Sequence, residues 1–247
     1  MKTSSSSLRY HRDDPNAGTI VSAMAEFDRF ATNYKSVLDR SVAIAGESSE
    51  YFTEYKAAYI DRLLGRERDR KILDFGCGVA MLSSALAKLR AGDTIHGFDV
   101  SDESLEQVEA GLRERGVFTS SLDALHRDYD LIVVSNVMHH LPPAERQATI
   151  SDLASRLTRG GTLLVIEHNP FNPVTRWVVS HCDFDDDAIL LWPKEVRRYF
   201  TEAGLKTARR DYVLFFPRFL SRLRGIEPAL GWFPLGAQYA LSATAAG

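Results

Sequence analysis

The run Leu73-Asp74-Phe75-Gly76-Cys77-Gly78, followed twenty-one residues later by Asp99, decides the fold. Lys71 to Phe75 reads as an apolar strand, and Gly76-Cys77-Gly78 as a sharp turn into a helix that ends near Leu89. Thr94 to Phe98 repeats the pattern, with a helix expected from Ser101 to Arg115 and Ser101 placed to cap it. A weak third strand lies around Val117 to Thr119. Asp130 to Ser135 is almost uniformly apolar inside, the signature of a strand covered on both faces. A helix from Pro143 to Leu157 follows, then a Gly160-Gly161 turn and a fifth strand, Thr162 to Glu167. Strand–helix units joined by short connections predict an α/β fold around an open, mostly parallel sheet.

Outward from this core, residues 1–18 are polar and read as a flexible tail. Residues 19–65 read as a helical cap of two helices. The first carries Met24, Phe27, Phe30 and Tyr34 at helical spacing. The second runs from Ser49 to Leu64, with Tyr51, Phe52, Tyr55, Tyr59 and Leu63 on one broad face and Gly65 as its stop. Residues 66–247 form the ligand-binding domain, with insertions at about 168–192 and 214–234. Pro193 to Ala203 reads as a helix. Leu205 to Val213 and Gly236 to Ala243 read as the last two strands, antiparallel at or near the sheet edge, with an aromatic and proline-rich excursion between them.

Composition narrows the class. Of 247 residues, 45% are hydrophobic and 26% charged, an ordinary globular balance. Thirty basic against 33 acidic side chains give a net charge of -3, so no basic surplus exists for a nucleic-acid partner. Two cysteines, Cys77 and Cys182, make no disulfide framework and point to a reducing, cytoplasmic setting. No apolar run reaches the roughly 18–20 residues of a spanning helix. The expectation is a soluble chain without stable membrane insertion, acting on a small-molecule partner and compatible with a homodimer.

In an open parallel sheet, ligands bind beyond the strand carboxyl ends, where the strand order reverses. Gly76 and Gly78 let a ligand approach the backbone, and Asp99 at the end of strand two can accept both hydroxyl protons of a ribose. A dinucleotide site would carry a third glycine where Met81 stands. Asp74 would repel a pyrophosphate but favours a cation. S-adenosylmethionine, with a sulfonium, an ammonium and no phosphate, fits that charge pattern better than a nicotinamide cofactor.

The chain here resembles the class I S-adenosylmethionine-dependent methyltransferases. The resemblance is carried by LDFGCG at 73–78, GFDVS at 97–101, YDLIVVSNVMHHL at 129–141 and RGGTLLVIEHNP at 159–170. It also resembles a bacterial small-molecule subgroup with EHNPxNPxTR (Glu167 to Arg176), CxFD (Cys182 to Asp185), LFFP (Leu214 to Pro217) and PLGAQY (Pro234 to Tyr239) segments. The resemblance implies a Rossmann-like sheet with an antiparallel last strand, and S-adenosylmethionine converted to S-adenosylhomocysteine. It implies that Asp74, Gly76, Cys77 and Gly78 line the methionine half, with Asp99 on the ribose and Val100 beside the adenine. Asp123 lies toward the adenine's far edge, Ser135, Asn136 and Val137 under the sulfonium, and Tyr34 over the cofactor.

An imidazole near the acceptor could take a proton at neutral pH, which nominates His139, His140 and His168. Neighbouring positions rarely face one ligand, so at most one of His139 and His140 is expected to act. Asn169 and Arg176 are candidates for acceptor binding, Arg176 through its donor fork for an acidic group. Tyr51, Tyr55, Phe216 and Trp232 are candidates for an aromatic acceptor wall, where a packing role competes. The cluster His181, Cys182, Asp183, Asp185, Asp186 and Asp187 lacks a metal-ligand pattern, so no metal is expected. The expected activity is methyl transfer to oxygen or carbon of an aromatic or amphiphilic metabolite. A nicotinamide-dependent oxidoreductase and a non-catalytic cofactor-binding scaffold are the alternatives.

Overall fold

A computed structural model describes residues 46–182 and 188–245. The expected first helix with Tyr34, and Asp183, Asp185, Asp186 and Asp187, lie outside the described residues.

The helix α1, Ser49–Leu64, starts with Glu50 and ends with Arg62, each complementing the helix dipole at its own end. Gly65 at φ 66° terminates it. Then follow β1 (Lys71–Phe75), α2 (Met81–Leu89), β2 (Thr94–Phe98), α3 (Asp102–Glu106), α4 (Ala110–Arg113), β3 (Phe118–Thr119) and β4 (Tyr129–Ser135). The chain continues through α5 (Pro143–Ser155), β5 (Leu157–His168), α6 (Pro173–Val179), α7 (Pro193–Glu202), β6 (Leu205–Val213) and β7 (Gln238–Ala245). Between β6 and β7, residues Arg218–Leu230 form 3₁₀ turns.

The described strands form one sheet in the order β3-β2-β1-β4-β5-β7-β6. The pairs among β1 to β5 are parallel, whereas β7 is antiparallel to both β5 and β6. Only β7 is therefore reversed, and β6 points the same way as β1. The mostly parallel sheet with an antiparallel last strand is as the sequence implied. The order reverses between β1 and β4, which opens a crevice beyond their carboxyl ends.

Both faces are covered. Ile72, Leu131, Val133, Leu164 and Ile166 pack under α1 and α2, while Leu73, Ile132, Val134, Leu163 and Val165 pack under α5 and α7. This explains the unbroken apolar run of β4, whose Leu131 to Val134 are fully buried. A fully buried guanidinium, Arg90, pins the end of α2 to the end of α1. It donates to the buried Asp93 carboxylate, to Asp61 at 2.9 Å and to the Gly65 carbonyl at 3.1 Å.

Two elements differ from expectation. The helix expected over Ser101 to Arg115 is split, because Glu109 adopts ψ 136°. Arg113 satisfies carbonyls that the break leaves open, donating to Leu105 and to Val108. Gly160-Gly161 is not a turn outside the fifth strand. Gly160, at φ 76°, lies inside β5 at an irregularity where β5 advances from Leu157 to Thr162 while β4 advances from Tyr129 to Leu131.

Candidate active site

The crevice is built from the loops after β1, β2, β4 and β5, and the sequence dictates how tightly they interlock. Gly76 has φ 75°, and a Cβ built there would lie 2.3 Å from Cγ2 of Val137. The turn after β1 can thus touch the loop after β4 only without a side chain. Gly76→Ala is expected to cost about 1–2 kcal/mol for its left-handed backbone, plus the displacement of Val137. Thermal unfolding of Gly76→Ala and of Gly76→Ala/Val137→Ala checks this, since the second change should return the packing part alone.

Asp99 clamps the first two loops. Its Oδ2 accepts from the Gly78 amide at 2.6 Å and its Oδ1 from the Ser101 amide at 3.0 Å. A carboxylate has about four acceptor positions, the number that two amides and two ribose hydroxyls require. Cys77 is buried, and a Cβ on Gly97 would meet its sulfur at 2.8 Å. Burial, with Asp74 and Asp99 nearby, pushes the Cys77 thiol well up, opposite to what a nucleophile needs.

Asp74 is the acid at the floor. It is 2% exposed and accepts from Ser83 Oγ at 2.8 Å. Burial raises its pKa to about 6, with Asp99 pushing the same way while Ser83 and Lys56 oppose. A carboxylate held this far from water favours a cationic ligand beside it.

On the neighbouring side, Glu167 near the end of β5 organises the loop after β4. It accepts from the amides of Val137 at 3.1 Å and Met138 at 2.7 Å, and its Oε2 lies 2.6 Å from His139 Nδ1. Burial pushes Glu167 up, but His139, His168 and the Met138 amide together overrule it and hold the carboxyl at about 2. The carboxylate therefore holds a proton on Nδ1 of His139. His139 is buried, with the rings of half-buried His140 and His168 at 4.1 Å and 5.0 Å.

The structure joins Gly78 to Asp99 and Gly76 to Val137 by direct contact, with Asp74 and Cys77 within electrostatic reach of Asp99. Ser135 ends β4 and Asn136 follows it, accepting from Gln238 at 3.0 Å. Val100 is half-buried just after β2, and Asp123 is exposed on a 3₁₀ turn. Asn169 is engaged internally: it donates to the Pro234 and Gly236 carbonyls and accepts from the Phe171 amide. Arg176 is exposed on α6, and Trp232 is 73% exposed on the insertion.

Tyr51, Tyr55 and Phe216 belong to the seam between α1 and that insertion. Arg224 stacks 4.0 Å over the Tyr51 ring, bonds Glu47 and donates to the Phe216 carbonyl, while buried Glu227 accepts from the Phe215 and Phe216 amides. Burial raises the Tyr51 hydroxyl to about 12 and pushes Tyr55 higher still.

Sequence reasoning missed Lys56 and the role of Glu167. Lys56 sits on the apolar stripe of α1, four residues after Phe52 and three before Tyr59, and that placement was its only signal. Among the described residues, no group of three His, Cys, Asp or Glu side chains is arranged to hold a metal ion. No described helix is long and apolar enough to cross a membrane. A hollow of about 480 Å³ beside Arg197 and Lys206 lies at the opposite end of the sheet, at the start of β6.

A family described as a methyltransferase domain matches residues 49–209, well over half of the chain. The chain belongs to that methyltransferase family. Its fold is the class I, Rossmann-like methyltransferase fold. It aligns with magnesium protoporphyrin IX methyltransferase from Synechocystis PCC 6803, solved with bound S-adenosylmethionine, at a TM-score of 0.64 and 17% identity. That alignment covers 98% of this chain and 100% of the other. Among curated proteins, a ubiquinone biosynthesis O-methyltransferase of Shewanella sp. (strain ANA-3) is 30% identical over 111 residues, 42% of this methyltransferase and 45% of the relative. A magnesium-protoporphyrin O-methyltransferase of Synechocystis sp. is 33% identical over 95 residues, 36% of this chain and 40% of the relative. These matches span less than half of either curated relative.

Proposed function

We propose that this methyltransferase uses S-adenosylmethionine to methylate oxygen or carbon of a small aromatic or amphiphilic metabolite. The observation that carries the reading is the pairing of two acids at the switch point. Asp99 is locked to the Gly78 turn at 2.6 Å, and Asp74 is buried beside it. One acid suits a ribose and the other a cation, a combination that a pyrophosphate-bearing nicotinamide cofactor does not match.

Bound S-adenosylmethionine supplies an electrophilic methyl whose bond to sulfur breaks with its electron pair retained by sulfur, leaving S-adenosylhomocysteine. The protein's part is to orient an acceptor lone pair or carbanion and to exclude water. His140 and His168 are half-buried beside the loop that follows β4, and the acceptor's proton passes to one of them or to water. His139, fixed by Glu167, is a positioning residue in this reading. The curated relatives' names favour oxygen as the acceptor atom.

Calorimetric titration tests the cofactor: S-adenosylhomocysteine should bind and NAD should not, and the reverse preference overturns the assignment. For the proton, turnover is measured by S-adenosylhomocysteine release with catechol and protocatechuate as probe phenols. Whichever of His140→Ala and His168→Ala removes the base is expected to lower kcat about 100-fold with the affinity for S-adenosylhomocysteine unchanged. Unchanged kcat in either variant removes that histidine as the base.

A further inference from the structure

The side chains of Asn169, Asn172 and Thr175 all turn to one short stretch of backbone. Asn169 donates to the carbonyls of Pro234 at 3.1 Å and Gly236 at 2.7 Å, and Asn172 to that of Leu235 at 2.7 Å. Thr175 Oγ1 and the Asn169 amide both donate to the Ala237 carbonyl at 3.0 Å. Every carbonyl from Pro234 to Ala237 is thereby held, and the next residue is Gln238, the first of β7. The two segments together fix where Gln238 stands.

It stands at the crevice. Gln238 pairs in register with His168, the last residue of β5. Directly opposed residues of an antiparallel pair share a face, with their Cβ atoms about 5 Å apart. Its Nε2 reaches over β5 and donates to Oδ1 of Asn136, which follows β4 with a left-handed φ of 56°. Gln238 is 6% exposed, and its Oε1 is buried without a hydrogen-bond partner among the described residues. Turning both amides over exchanges donor and acceptor but still leaves one pole of Gln238 unmatched. An unmet buried acceptor is destabilising, and a methionine of the same length would fill the place without that cost. The free pole therefore suits a donor that arrives from outside, between the loop after β4 and His168.

We propose that Gln238 binds a hydroxyl of the methyl acceptor. Its Oε1 accepts the hydroxyl's hydrogen bond while Asn136 holds its Nε2, which seats the acceptor beside His168. The proposal rests on the methyltransferase reading above and adds a substrate contact to it. Three measurements test it on the full chain: initial rates with catechol and protocatechuate, calorimetry with S-adenosylhomocysteine, and thermal unfolding of the apo protein. Gln238→Met is expected to raise KM for the phenols about tenfold and to leave the affinity for S-adenosylhomocysteine within about twofold. Its unfolding temperature should be equal to the parent's or higher, because the unmet acceptor is gone. Gln238→Glu keeps an acceptor oxygen to which Asn136 can turn its amide donor, and should recover most of the KM. Gln238→Ser serves in place of the methionine variant if that one fails to fold.

An unchanged KM overturns the contact. A raised KM accompanied by an equal loss of S-adenosylhomocysteine affinity and a lower unfolding temperature makes Gln238 a structural residue and overturns it too. A parent that binds S-adenosylhomocysteine but turns over neither phenol sinks this proposal alone. If the parent does not bind S-adenosylhomocysteine, the cofactor reading falls and takes the proposal with it.

Discussion

Asp99→Ala is expected to weaken S-adenosylhomocysteine binding by at least about 100-fold, because two kinds of contact disappear together. Hydrogen bonds to a charged acceptor contribute about 1.5–3 kcal/mol each, and a ribose offers two hydroxyls to this carboxylate. The same side chain also accepts from the Gly78 and Ser101 amides, so its removal frees the turn that must meet the ligand. Asp99→Asn separates the two effects. Its single carbonyl oxygen can keep one amide contact, and its amide donor cannot replace an acceptor for a hydroxyl proton. Calorimetry should place the asparagine variant between parent and alanine. An alanine variant that binds like the parent would remove Asp99 from the site.

Glu167→Ala is expected to destabilise the fold by about 3–5 kcal/mol, the range seen when one partner of a buried ionic pair is removed. The change removes the acceptor that His139 Nδ1 and the amides of Val137 and Met138 share. Chemical denaturation measures this loss, and Glu167→Gln should lose less because one acceptor oxygen remains.

The carboxyl also predicts a pH dependence. Its pKa is about 2 in the folded chain against an ordinary 4.5. A depressed folded pKa means that the unfolded chain takes up the proton first. The contribution of Glu167 is therefore complete above about pH 4.5 and is lost as pH falls from there toward 2. The difference in stability between parent and Glu167→Gln should shrink across that window.

What could be read from the chain was whatever depends on neighbours in sequence. The bounds of β1 and β2 follow from apolar runs ended by glycine or charge, the start of β6 from Gly204, and α1 from its aromatic stripe and Gly65. The link between the first glycine turn and Asp99 was legible because strand, turn, helix and strand fix that spacing. The break at Glu109 was not, since Gly111 alone is tolerated inside a helix and Arg113 satisfies the opened carbonyls of Leu105 and Val108. Gly160 misled because a left-handed glycine serves an irregularity within a strand as well as a turn.

At the site, the missed residues are those whose partners are remote. Glu167 meets amides 29 and 30 residues away, and Lys56 meets a hydroxyl 79 residues away. An amine on a helix reads as solvated until the element beneath it is known. The aromatic insertion hid its anchors for the same reason, because Arg224 reaches Glu47 across 177 residues.

The reversed strand β7 has a consequence for how the chain is made. It lies between β5 and β6, pairing with both, and is synthesised after each of them. During translation the nascent sheet therefore carries an open border on β5, and β6 has no neighbour to join until β7 emerges. Growth of the sheet is completed by insertion rather than by addition at its rim, which makes assembly non-local and slow to close. Truncations that reach into β7 would strand β6 as well, so loss of one short segment removes two rungs of the structure.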